Sequence, residues 1–542
     1  MLQLDSTIAS LAATGVFLAL YLMKRRKRRS PYSQLPLPPG PKGLPIIGNL
    51  RDMPTSFEWK TYHKWSKELG MVPFILARER SVNGNGLIQD TDILYLNVAG
   101  TSIVVLDSWE AILELFEKRS SIYSDRARMP MINELMGWNF NFGFMKYGCS
   151  RRRHRRLMHH NFHPTAAARF RPHLLKAARN LLNRFLDMPN DVIGNLRHMA
   201  GETIMSVAYG LEVKPKDDPY IRTAEQGVHP LVAAGVPGAF LVDVLPFLKY
   251  VPEWMPGAGF QTKAREWKKL ALNMVEIPFA AAKRNLANGV SSLCVASLSL
   301  QKLENGTTDD AYAEDIIQGV TGTMYAAGSD TTVSAVASCI LGLLDKPEVI
   351  KKAQEELDRV VKPGHLPDFD DEESLPYITA IVKETLRWRD VVPIAIPRLL
   401  TVDDEYKGYR LPAGAIVIPN AWAMLHNEDV YPDPFEFNPD RFMKDGKFNK
   451  SVRDPSHACW GFGRRICPGR YMAFSSVWIA VASLLTVYDI KKAVDEEGNV
   501  IEPQHDYLSA LVCMPKPYKC SITPRSQKAE RLIRSASNLE AL

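Results

Sequence analysis

Trp460-Gly-Phe-Gly-Arg-Arg-Ile-Cys467-Pro-Gly469 decides the reading of this chain. One cysteine sits in a loop with three glycines, two arginines shortly before it and an apolar helical run, 472–487, just after it. Glycine lets backbone N–H groups approach a sulfur closely. A helix N-terminus and nearby guanidinium groups favour a thiolate over a thiol. The pattern fits a buried metal-binding thiolate. The plainer alternative is a structural cysteine ahead of a core helix, because a free cysteine usually behaves as a small hydrophobe.

The bulk numbers narrow the class. At 542 residues the chain is longer than one ordinary domain, and 46% hydrophobic residues is a globular composition. The net charge is +7, nearly all of it carried by Lys24-Arg-Arg-Lys-Arg-Arg29. The rest of the chain is close to neutral, so no global charge points to nucleic acid. The seven cysteines are scattered, odd in number and without a CxxC pair, which argues against a disulfide framework and against a zinc site. A reducing compartment fits the body of the chain.

Ahead of the basic run, 7–23 is apolar apart from a few hydroxyls. As a helix it reaches ~25 Å, just short of a thin bilayer. A cleaved secretory signal, the alternative, carries its charges before the apolar run; here they come after it. The positive-inside tendency keeps the basic run and the downstream chain on the cytosolic side. The expectation is a single-pass anchor in the endoplasmic reticulum membrane (1–30) with a cytosolic body. A Pro- and Gly-rich stretch (31–50) comes next, read as a stiff hinge. Residues 91–107 alternate around Gly100 like a two-stranded hairpin. Helical patterns run over 57–69, 172–187, 313–344 and 347–361, with Pro172 and Pro347 suited to first helical positions. Residues 409–419 read as strand and turn. The last stretch, 525–542, reads as a polar tail.

Inside the long helical run, Ala327-Gly328-Ser329-Asp330-Thr331-Thr332 breaks local rules. Glycine costs about 1 kcal/mol against alanine in a helix interior, and Asp and Thr compete for backbone hydrogen bonds. Such violations mark function, or else a kinked helix whose Thr bonds back to a carbonyl. Glu384-Thr-Leu-Arg387 places acid and base on one helix face, a common pair. Arg441 lies downstream in Phe437-Asn-Pro-Asp-Arg-Phe442. Arg151-Arg-Arg-His-Arg-Arg156 is a basic cluster that a nucleic-acid patch would also show.

Together and in this order, the motifs resemble those of the cytochrome P450 superfamily over about 36–524. Its cysteine loop reads Phe-x-x-Gly-x-Arg-x-Cys-x-Gly, with Trp460 in the Phe position here. A thiolate holding haem iron pushes electron density toward O–O cleavage. The resemblance implies a mainly α fold with small β-sheets, haem b, and Cys467 as the axial iron ligand. It implies Gly328 leaving room for oxygen, and Asp330 and Thr331 as the acid–alcohol pair that relays protons to it. It implies Arg155, Arg398 and Arg465 on the haem propionates and Trp460 covering the ring. Arg151 stands where the family has a propionate-binding Trp. Glu384, Arg387 and Arg441 would form a buried structural network behind the haem. The remaining basic residues would face an acidic redox partner. No flavin or nicotinamide fingerprint occurs, so electrons from NADPH must come through a separate cytochrome P450 reductase, with cytochrome b5 as a second donor. O2 and an apolar small molecule are the co-substrates.

Within the resemblance, 71–90 stands out, because the family keeps that connection short. It is either an insertion with a function or an in-frame intron retained in the gene sequence; the second is favoured. Asn133-Glu-Leu-Met-Gly-Trp138, Val452-Arg-Asp-Pro455 and Asp403-Asp-Glu-Tyr-Lys-Gly-Tyr409 resemble tailoring oxygenases of mushroom-forming fungi. That implies a secondary metabolite as substrate, a terpenoid ahead of an indole, polyketide or other aromatic. Rival classes are a haem-thiolate isomerase or dehydratase, which needs no reductase, and a non-catalytic haem protein. The mostly apolar stretches 129–144, 236–247, 319–327, 391–396 and 508–512 are expected to line the substrate cavity.

Overall fold

The computed structural model describes residues 31–70, 92–235, 239–290 and 292–538. The expected anchor, 1–30, and the stretch 71–90 lie outside the described residues.

Helices dominate, as the periodicity predicts. They are α1 (Glu58–Gly70), α2 (Cys149–Phe162), α3 (Arg171–Asp187), α4 (Val192–Ile204), α5 (Pro219–Ala234), α6 (Gly259–Ala287), α7 (Val295–Glu304), α8 (Glu314–Leu344), α9 (Pro347–Val360), α10 (Pro376–Trp388), α11 (Arg470–Val487) and α12 (Gln527–Asn538). Proline opens α3 and α9 in their first two positions, where an N–H would go unpaired. The hairpin is β1 (Ile93–Val98) and β2 (Thr101–Leu106), paired antiparallel. It turns at Ala99 and Gly100, both at positive φ, 48° and 89°, where glycine is the natural occupant. Later strands are β3 (Arg398–Leu399), β4 (Asp404–Tyr406), β5 (Tyr409–Leu411) and β6 (Ile416–Pro419). The main sheet has the order β1-β2-β6-β3.

Two long apolar helices organise the core. α8 packs against α4 and α11, and its residues enter both large apolar clusters, one with α3, α4, α9 and α10, the other with α2, α5 and α6. Both α8 and α11 are long and apolar enough to cross a membrane, but 67% and 61% of their apolar windows are buried in the body, so here they are core helices.

Two expectations change. Residues 36–39 are not a free spacer: Pro39 O accepts from Tyr95 N of β1 at 2.8 Å, and Pro36 O accepts from Arg410 N of β5 at 2.8 Å. Gly40 then passes against the carbonyl of Tyr95, where a Cβ has no room. The C-terminal stretch is not a plain polar tail either. α12 lays a fully buried Ile533 on the core, and Arg534 pairs with Asp187 of α3 at 2.9 Å. Its polar composition hid a one-sided apolar stripe that a dozen residues suffice to bury.

Candidate active site

The cysteine loop is built to hold a sulfur. Cys467 N donates to Trp460 O at 2.8 Å, closing the loop. Gly461 and Gly463 sit at φ 70° and 48°, and a Cβ at Gly463 would collide with the carbonyl of Phe116. The backbone N–H groups of Gly469 and Arg470, at the start of α11, point at Cys467. Burial pushes the Cys467 thiol up, and these N–H groups with the guanidiniums of Arg155 and Arg470 pull it back toward the thiolate. Cys459 differs: burial and nearby carboxyls, Asp390 first, drive its thiol well above the usual range.

Cys467 opens into a cavity bounded by α2, α4, α8 and α11. The cavity volume is about 300 Å³, and it is continuous with space open to solvent. A small-ligand site holds roughly 300–1,000 Å³, so this cavity is of small-ligand size. Its walls are apolar: Phe142, Phe144, Met158, Phe162, Ile204, Leu231, Val392, Leu511 and Val512. Four of the five expected lining stretches contribute. The described residues of 236–247 do not, while α2, α4 and α5 contribute wall residues outside the expected stretches. Leu241 and Phe247 are 69% and 64% exposed.

At one side five arginines converge. Arg126, Arg151, Arg155 and Arg465 line the cavity, with Arg398 behind them. α2 explains part of this: its inner face carries Arg151, Arg155, Met158 and Phe162 at helical spacing, and its outer face keeps the other basic residues. The five guanidiniums bond to carbonyls only. Arg126 donates to Gly143 O (2.9 Å), Ile396 O (2.6 Å) and Pro397 O (2.7 Å). Arg465 donates to Ser124 O, Phe142 O and Met145 O, Arg155 to Ile466 O, Arg398 to Phe462 O and Arg151 to Arg464 O. Burial and mutual repulsion lower Arg126 well below its usual range, Arg151 and Arg398 to about 9 and Arg465 to about 10. Arg151 Nε and Arg398 Nη1 are buried without a hydrogen-bond partner among the described residues. Clustered cations with spare donors and no paired carboxylate among the described residues are a site for anions, and guanidiniums suit carboxylates bidentately. Two haem propionates fit this end while the Cys467 sulfur fits the iron.

Arg126 escaped the sequence reading. In Ser124-Asp-Arg-Ala-Arg128 it looks like an ordinary surface residue, and only its 4% exposure reveals it. Two of the outward basic residues are also less free than expected: Arg156 pairs with Asp309 (2.7 Å), and Arg153 lies 3.6 Å from Asp310. Trp460 does not line the cavity; its side chain packs on the core, and its carbonyl holds the loop.

On α8, Gly328 and Thr331 line the cavity. A Cβ at Gly328 would press on Ile204, so the space beside this glycine belongs to α4. Thr331 Oγ1 donates to Ala327 O at 2.7 Å, the back-bonded geometry. Asp330, one residue earlier and about 100° round the helix, faces away toward Arg197, whose Nε is 3.8 Å distant. Burial raises its carboxyl, and Arg197 and His229 oppose that. The acid and the alcohol therefore lie on different sides of the helix.

Behind the loop, fully buried Glu384 accepts from Arg387 Nε and Nη2 (2.7 Å each), Arg441 Nε (3.1 Å) and Asn438 N (2.9 Å). Arg387 Nη1 also donates to Leu425 O and Pro434 O, joining α10 to the chain that leads into the cysteine loop.

A buried thiol loop facing an arginine cradle across an apolar cavity, beneath a long helix, defines a haem-thiolate protein. The chain belongs to the cytochrome P450 family, whose model matches residues 89–522. It is 44% identical to cytochrome P450 monooxygenase 98 of Postia placenta over 97% of each chain. It is 40% identical to cytochrome P450 monooxygenase ple1 of Rhodocybe pseudopiperita, over 97% of this chain and 96% of that one. It is 39% identical to the tryptamine 4-monooxygenase of Psilocybe cyanescens, over 94% and 96%. The protein is a cytochrome P450 monooxygenase with a haem-thiolate iron cofactor, and its family generally draws electrons from a redox partner.

Proposed function

We propose that this enzyme inserts one oxygen atom from O2 into a neutral, apolar small molecule, as a tailoring step in the secondary metabolism of a mushroom-forming fungus, a terpenoid being the substrate class favoured. The carrying observation is the cavity: Cys467 at one wall, arginines at one side, apolar residues elsewhere and no Asp or Glu in the lining among the described residues. An ammonium group buried there would lack an anion. That favours a neutral terpenoid over an amine-bearing indole such as the one named for the Psilocybe relative. The hydroxyls of Thr323 and Thr331 are spent on their own helix, and Thr203 Oγ1 lines the cavity without a partner among the described residues, so the wall selects chiefly by shape and area with Thr203 open to a substrate oxygen.

The haem, when bound, supplies electron storage and oxygen activation. The residues do the rest. Cys467 would hold the iron, and the N–H groups of Gly469 and Arg470 favour its thiolate against the effect of burial. Arg126, Arg151, Arg155, Arg398 and Arg465 fix the propionates and thereby the ring. Thr331 Oγ1, on leaving Ala327 O, would pass a proton into the cavity, and Asp330, on the other side of the helix beside Arg197, would supply that proton through intervening water. Glu384, Arg387 and Arg441 keep the loop rigid. NADPH and a separate reductase, assisted by cytochrome b5, supply electrons at the face where Arg152 and Arg464 are exposed.

The body sits on the cytosolic face of the endoplasmic reticulum, anchored by 1–30. Exposed Ile46, Phe247, Tyr250 and Trp254, 95%, 64%, 77% and 80% accessible, support contact with a membrane. Co-expression with a reductase and the candidate pathway, combined with metabolite profiling, tests the assignment. A new hydroxylated terpenoid, dependent on NADPH, supports it. Turnover without NADPH would instead mean an isomerase or dehydratase.

A further inference from the structure

Two loops supply one apolar part of the cavity wall: the connection from α10 to β3, through Val392 and Ile396, and the turn carrying Leu511 and Val512. Asp390 lies behind them, 4% exposed, and is not itself in the lining. One of its oxygens accepts from Val392 N at 3.3 Å. The other is buried with no hydrogen-bond partner among the described residues. The next carbonyl, Val391 O, accepts from Cys513 N at 2.9 Å, and Cys513 O is held by Ser334 of α8 at 2.7 Å. One short turn at Asp390 therefore sets Val392 directly and, through Val391, the residues just before Cys513.

Among the described residues no cation balances this carboxyl. The neighbouring Arg389 guanidinium turns away to stack on Trp388 and Tyr507, at 4.1 and 5.1 Å. The titratable groups that face Asp390 are the thiols of Cys459 and Cys513, both kept neutral by burial. Further out, Glu58 and Lys60 face Cys513, and Asp454 and Lys383 face Cys459. A lone charge in such a place is costly, and the group avoids it by staying protonated.

We propose that Asp390 is a positioning residue for substrate: as a neutral acid it fixes the turn that presents Val392, Leu511 and Val512 to the cavity, and its ionisation loosens that wall. Burial pushes its carboxyl up to about 7, so ionisation falls in the physiological range. The sign comes from linkage: the tight wall holds the proton up to about pH 7 and the loose wall releases it in the ordinary carboxylate range, so tight binding is fullest at low pH, is lost as pH rises toward 7 and levels off above it. The inference rests on the cavity being the substrate site.

The test uses the full-length haem protein in detergent, with clotrimazole as an apolar probe titrated by its Soret shift between about pH 5 and 8.5. Wild-type affinity, taken relative to that of Asp390→Asn, should fall as pH rises toward 7, by at most about tenfold per pH unit, the slope of a single proton, and level off above 7. Amide exchange in peptides spanning 389–397 and 509–514, corrected for intrinsic pH dependence, should quicken over the same range. Asp390→Asn should abolish both trends and keep the low-pH affinity. The same pH trend in Asp390→Asn and wild type would overturn the proposal. If that variant does not fold, infrared spectroscopy of the wild type decides: a protonated-carboxyl band lost near pH 7 supports the proposal, and its absence at pH 6 overturns it. The exchange readout needs no turnover, so failure of the oxygenase reading is seen separately.

Discussion

At the scale of single residues, the most telling positions are those that contradict their surroundings. Thr331 sits in the cavity with its hydroxyl bonded to Ala327 O. To move a proton it must exchange that bond for one pointing inward. Thr331→Ala should keep haem and NADPH consumption while product falls and hydrogen peroxide rises, read from the two yields side by side. Positioned proton transfer is worth about 10²–10⁴-fold, so the loss should be large, and Asp330→Asn should slow NADPH consumption itself. Arg126 makes a second case. Hydrogen bonds to charged groups contribute about 1.5–3 kcal/mol each. Arg126→Leu should therefore speed haem transfer to apomyoglobin by at least about tenfold, with the fold retained by circular dichroism. Cys467 and Arg465 were legible in the sequence because glycines and spacing surround them. Arg126 and Asp390 were not, since nothing local distinguishes a charged residue that the fold will later bury.

Elements were easier to read than their contacts. The apolar patterns gave α3, α8, α9 and α11 to within two residues, because α3 and α9 keep one apolar face, α8 and α11 are apolar on every side, and proline marks two of the starts. It failed at 36–39 and at α12. A proline-rich strip carries no periodic signal, so its docking on β1 depends on a partner distant in sequence. In α12 the apolar stripe is short and the charges are many. The same limit applies to Glu384 and Arg387: the i,i+3 spacing was visible, but full burial and the carbonyls and amide around the pair were not. Breaking a buried pair by removing one partner costs about 3–5 kcal/mol. Arg387→Ala should therefore lower the denaturation midpoint sharply and leave little haem bound. An unchanged midpoint would mean that the network does not hold the loop.

For the whole molecule, the fold separates three tasks. The long apolar helices α8 and α11 wall the cavity, the arginine side is the proposed seat of the haem propionates, and exposed apolar residues at 241–254 and Ile46 lie apart from both. If those residues meet the membrane, deleting residues 1–30 should leave a haem-binding protein that still sediments partly with microsomes. A fully soluble product would make the N-terminal segment the sole attachment. The proposed function depends on one bond, from the Cys467 sulfur to the haem iron. The ferrous–carbon monoxide difference spectrum reads that bond directly. The wild type and Cys459→Ser should both give the red-shifted Soret band of a thiolate-bound haem, and Cys467→Ser should lose it together with all monooxygenation. The same red-shifted band in Cys467→Ser would contradict the account at its root.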